Sequence, residues 1–128
     1  MTMRSHLGRV RGLGSAKEGA GSHWMAERIT AIALIPLSLW FVFFAVIPNL
    51  DVSYADYVAW MGSPLNASLM LLFILCSFHH GMLGLIVIIE DYVHAPVAKH
   101  VLVFGTKFFA AFGAMLAVVS VLKLTFGG

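Results

Sequence analysis

Three long apolar runs divide the chain. Ile29 to Pro48 carries no charge over 20 positions, Asn66 to Ile89 gives 24 positions without Asp, Glu, Lys or Arg, and Val101 to Leu122 gives 22 in which Lys107 is the only charge. At 1.5 Å of rise per residue, each can cross a hydrocarbon core about 30 Å thick. The pattern predicts an all-α membrane protein with transmembrane helices over 26–48, 66–91 and 101–124, preceded by an N-terminal segment over 1–25, all in one membrane domain. Lys107 lies less than two turns inside the third run, where its stem lets the ammonium snorkel to the nearer interface. Pro36 is expected to kink the first helix, and Pro96, in the second connector, to help stop one helix before the next.

Composition agrees with the pattern. Hydrophobic residues make up 60% of the chain and charged residues 11%, with a mean hydropathy of +0.92, which excludes an ordinary soluble domain. Cys76 stands alone, so this chain supplies neither a disulfide framework nor a thiolate metal cluster. Of the 8 basic residues, Arg4, Arg9, Arg11, Lys17 and Arg28 precede the first apolar run, while the first connector carries Asp51 and Asp56 and no Lys or Arg. The positive-inside rule places the N-terminus in the cytoplasm and the C-terminus in the periplasm. Tyr54, Tyr57 and Trp60 recur every three residues in that connector, the spacing of a short helix lying at the outer interface.

The start of the chain is basic, Gly-rich and polar, without the apolar core of a cleaved export signal. The sequence opens at Met1, and the expectation is a multi-pass protein of a bacterial inner membrane, with the mitochondrial inner membrane as the alternative.

The chemistry gathers on the second span. His79 and His80 fall near its middle, where ionisable groups are costly. Successive helical residues point about 100° apart, so at most one of the pair faces squarely into a shared cavity. The stripe through His80 holds Cys76, Ser77, Gly84, Val87 and Asp91, a small and polar face; the stripe through His79 holds Leu72, Leu75, Leu83 and Ile86, suited to packing against lipid or another helix. Gly84 removes bulk one turn from His80, as expected beside an imidazole that ligates a flat macrocycle. The alternative is a neutral His80 hydrogen-bonded to a neighbouring helix. No other histidine lies at mid-membrane depth, so a six-coordinate haem would take its second axial ligand from a partner chain. Glu90, Asp91 and Tyr92 end the span either as an interfacial stop or, because Asp91 shares the His80 stripe about 16 Å further on, as a proton-carrying edge of the same face. Arg28 marks the start of the first span, as an anchor or as the partner of a carboxylate.

His80-Gly-Met-Leu-Gly84 leading to Glu90-Asp91-Tyr92-Val93, with the entry segment Gly19-Ala-Gly-Ser-His23-Trp24-Met-Ala-Glu-Arg28-Ile-Thr30-Ala31, resembles the smaller hydrophobic anchor subunit of succinate dehydrogenase, respiratory complex II, especially its alphaproteobacterial members. The resemblance covers nearly the whole chain, and its strongest part is a histidine followed eleven residues later by Asp-Tyr. It implies His80 as an axial ligand of haem b, Tyr92 beside Asp91 as the contact to ubiquinone, and Arg28 near the haem propionates. The family includes variants with no haem or with two. The resemblance further implies a second cytochrome b-type anchor subunit, an iron–sulfur subunit and a flavoprotein subunit, since this chain has no flavin, iron–sulfur or dicarboxylate motif of its own. The competing expectation is a structural or assembly membrane protein, or a small transporter module, with a packing histidine and no haem.

Overall fold

A computed structural model describes residues 15–127, with side chains described from Gly21 onward; Arg4, Arg9, Arg11 and His6 lie outside the described residues. Among the described residues four α-helices follow one another: α1 (Ser15–Trp40), α2 (Tyr54–Met61), α3 (Pro64–Tyr92) and α4 (Pro96–Phe126). Among the described residues three stretches are long and apolar enough to cross a membrane, Gly21–Asn49, Pro64–Tyr92 and Pro96–Phe126. Each extends beyond the run of uncharged residues that announces it, because a helix does not stop where apolarity stops.

The ends of these helices have local causes. Ser53 accepts a hydrogen bond from the Asp56 amide at 3.2 Å and donates to the Asp56 carboxylate at 2.8 Å, which starts α2. Pro64 and Pro96 occupy first-turn positions of α3 and α4, where the missing amide proton costs nothing. Pro96 therefore opens α4 rather than merely ending α3. A proline also disfavours helical backbone in the residue before it, and Ala95 is extended (φ −68°, ψ 121°), so α3 and α4 are joined by only 93–95 and pack as antiparallel neighbours.

Pro36 has a subtler effect than a stop. α1 continues through it, then gives way at Phe41–Val46 to a π-helical segment and at Ile47–Asn49 to a 3₁₀ turn. Lacking an amide proton, Pro36 cannot bond the Ile32 carbonyl, and a span weakened there accommodates the wider turn that follows. Asn49 then donates through its side-chain amide to the Ala45 carbonyl at 2.9 Å, satisfying an acceptor near the end of the span.

Packing at this end is aromatic. Trp40 stacks on Trp60 with centroids 6.0 Å apart, Tyr57 on Trp60 at 5.7 Å, and Phe41 on Phe73 at 4.5 Å, around buried Ala45, Met61, Met70 and Val121. Tyr54 stays exposed, whereas Tyr57 and Trp60 lock α2 onto the spans instead of serving as a bare aromatic belt. Burial pushes the Tyr57 phenol up from its ordinary value. Thr125 ties the end of α4 to the Met61 carbonyl at 3.3 Å.

α3 and α4 approach closely at Gly113, where an added Cβ would sit 2.6 Å from the Phe78 ring. Small residues at helix contacts are how apolar spans gain packing in lipid. Gly113→Leu is expected to weaken the α3–α4 contact by about 1–3 kcal/mol through overpacking, read as a lower thermal midpoint of the detergent-purified assembly, with Gly113→Ala falling between.

Candidate functional site

His79 and His80 part company in the structure. His80 is half-buried, with its Nδ1 3.1 Å from Thr30 Oγ1 on α1. His79 is exposed and lines a groove between α3 and α4 with Leu75, Phe78, Met82, Lys107 and Ala110. One residue of offset, about 100° of rotation, thus sends the two imidazoles to different neighbours. The apolar stripe that accompanies His79 in the sequence also divides. Leu83 and Ile86 are 3% and 2% exposed, while Leu72 and Leu75 remain about half exposed. Lys107 lies eleven residues into α4, about three turns, because Pro96 starts that helix earlier than the apolar run suggests.

Thr30 enters the sequence reading only within the entry segment, two residues after Arg28, with no partner assigned to it. Its hydroxyl lies 2.7 Å from the Ala26 carbonyl and 3.1 Å from that of Glu27, while facing His80 across the α1–α3 contact. A lone threonine in an apolar run looks like an ordinary back-bonded side chain, and nothing in the sequence pairs it with a residue fifty positions away.

Arg28 sits two residues before Thr30, about 3 Å along the helix axis. It therefore stands near the level of His80, not at the beginning of α1, which starts thirteen residues earlier at Ser15. Its guanidinium carbon lies 5.4 Å from the Trp24 ring centroid, an i to i−4 cation–π contact on the same helix. Such a contact satisfies the charge partly and leaves the planar fork of donors available.

Beyond His80, Gly84 is half-buried, and an added Cβ there would meet nothing within 4 Å. The backbone is thus bare one turn from the imidazole. Asp91 and Tyr92 close α3 and are exposed, Tyr92 at 79%. Helical rise puts Asp91 about 16 Å from His80, so the two groups are not in contact; they occupy two levels of one helix, joined by their shared stripe. Among the described residues no group of three or more His, Cys, Asp or Glu is placed to hold a bare metal ion. A metal at His80 would need donors from outside the chain, such as a macrocycle and a partner's side chain.

Comparison with known proteins bears on the chain as a whole. A profile of the family described as succinate dehydrogenase/fumarate reductase transmembrane subunit matches residues 1–122. The succinate dehydrogenase hydrophobic membrane anchor subunit of Rickettsia bellii is 33% identical over 120 residues, covering 92% of this chain and 93% of that one. The protein of the same description from Rickettsia conorii is 30% identical over 108 residues, 83% of each chain. That from Paracoccus denitrificans is 32% identical over 99 residues, 77% of this chain and 75% of its own. No solved structure gives a significant match.

Proposed function

Because this chain belongs to the succinate dehydrogenase/fumarate reductase transmembrane subunit family and is a membrane anchor of succinate dehydrogenase, we propose that it holds haem b through His80 and ubiquinone through Tyr92 and Asp91. The observation that carries the haem part is the separation of the two histidines, with His80 half-buried between α1 and α3 and His79 exposed in the α3–α4 groove. A bare backbone at Gly84 leaves room for a macrocycle beside the ligand. Arg28, near the same level, suits a propionate: a guanidinium inside an apolar span calls for an anion, and a carboxylate fits its fork in two-point fashion. A haem bound there would store and pass single electrons.

The residues of this chain have simpler tasks. His80 donates a nitrogen lone pair, Arg28 balances carboxylate charge, and Tyr92 donates a hydrogen bond to a quinone carbonyl as negative charge builds on that oxygen. Asp91 passes protons from the aqueous edge to the reduced quinone. A second ligand to the haem iron would come from the second anchor subunit, and electrons would arrive from an iron–sulfur subunit fed by a flavoprotein that oxidises succinate. This chain performs none of that oxidation itself.

In this reading the membrane is a bacterial inner membrane, with the 93–95 turn on the cytoplasmic side and α2 on the periplasmic side. A reporter active only in the periplasm is expected to work when fused after Gly128 and to fail when fused near Pro96; the opposite pattern would put Asp91 and Tyr92 on the wrong side for an iron–sulfur partner. The direct test of the cofactor is a reduced-minus-oxidised absorption spectrum of the purified complex, expected to carry low-spin haem b bands. A featureless spectrum would favour a purely structural anchor with a packing histidine.

A further inference from the structure

We infer that Thr30 is a positioning residue, holding the His80 imidazole as the tautomer protonated at Nδ1 and so leaving Nε2 as the atom that can bind iron. This rests on the reading of His80 as an axial ligand.

Hydrogen counting carries it. A threonine hydroxyl has one proton. Thr30 Oγ1 is 2.7 Å from the Ala26 carbonyl oxygen and 3.1 Å from that of Glu27. Carbonyl oxygens bring no proton, so an oxygen pair at 2.7 Å is attractive only with the threonine proton between them. That proton is then not available to His80. The 3.1 Å contact from Thr30 Oγ1 to His80 Nδ1 is a hydrogen bond only if the ring N–H donates and the hydroxyl accepts. A neutral imidazole carries one N–H, so Nε2 keeps its lone pair. The order is Nδ1–H to hydroxyl to backbone carbonyl, each bond polarising the next.

The relay is anchored in α1 itself, because the final acceptors are main-chain carbonyls of Ala26 and Glu27 within that helix. Thr30 cannot turn its proton away from them without giving up both contacts. The ring is therefore constrained in rotation as well as in tautomer. A hydrogen bond from the far nitrogen makes an imidazole a stronger donor to iron, which favours the oxidised metal and tightens binding.

The test compares Thr30→Val, which keeps the shape and removes the acceptor, with Thr30→Ser, which keeps the hydroxyl, each in the assembled complex. Haem retention is measured by transfer to a haem-scavenging protein, and the haem midpoint potential by redox titration. Thr30→Val is expected to lose haem about tenfold more readily, as removal of an outer hydrogen-bond partner commonly does, and to show a higher midpoint potential; Thr30→Ser is expected to match the wild type in both. A Thr30→Val complex indistinguishable from wild type overturns the inference and leaves the ligand reading of His80 intact. Full low-spin haem in His80→Leu overturns the ligand reading, and this inference with it. If Thr30→Val does not assemble, Thr30→Ala, which cannot clash, is read in the same way. Equal defects in Thr30→Ala and Thr30→Ser would assign Thr30 to packing and overturn its role in positioning the ring.

Discussion

Replacing His80 by leucine is expected to abolish the low-spin haem signal of the assembled complex, while His79→Leu leaves it at close to wild-type intensity. A six-coordinate haem needs two axial side chains, and losing one either releases the group or leaves it five-coordinate and high-spin, so the change is in kind and not in degree. The contrast between neighbours is what makes the experiment decisive. His80 is half-buried with Nδ1 against Thr30, whereas His79 is exposed beside Lys107 in the α3–α4 groove. Equal loss from both substitutions would show that the two faces of α3 do not act separately. Loss from His79→Leu alone would transfer the ligand role to the groove.

The second large effect is expected at Tyr92. Phe keeps the ring and deletes the hydroxyl, so Tyr92→Phe should slow succinate-to-quinone electron transfer while succinate oxidation by an artificial acceptor stays nearly intact. A preorganised donor to a developing oxyanion in an enclosed site is worth about a hundredfold to a thousandfold. Tyr92 is 79% exposed in the isolated chain, so water competes until the partner subunits cover it, and a loss of about tenfold to a hundredfold is the expected range. Steady-state rates at limiting quinone read this directly. A wild-type rate there would make Tyr92 an interfacial anchor and hand the quinone contacts to the other subunits.

How much of this was legible in the sequence depends on which kind of information each feature needs. The three spans were legible because charge exclusion is a one-dimensional property, visible residue by residue. That His80 and His79 meet different neighbours was legible too, since a stripe on one helix follows from 100° per residue. Helix ends were read less well. Pro96 looked like a stop, but proline serves equally as a first-turn residue, and only the extended Ala95 before it decides which. The helix that carries Arg28 likewise begins in polar sequence at Ser15, ahead of the apolar run, which hydropathy does not see. The contacts of Thr30 and Gly113 were beyond sequence reasoning. Each matters through one contact with a distant helix, to His80 and Phe78 respectively, and a single chain read alone holds no record of such pairs.

The sparseness of the chain's own packing has a cellular consequence. Eight side chains are buried among the described residues, all apolar and none larger than methionine, leucine or isoleucine. Lipid accepts the remaining apolar surface, but it does not hold three helices in one arrangement as protein contacts do. Much of the chain's structural security must come by mass action from whatever binds its folded form, a gain of about 2.7 kcal/mol when a partner stands at a hundred times its dissociation constant. Copies made in excess of those partners forgo that gain and open more often to membrane proteases. The abundance of the chain would then follow the scarcest of its companions rather than its own rate of synthesis, keeping subunit ratios matched without a dedicated regulator.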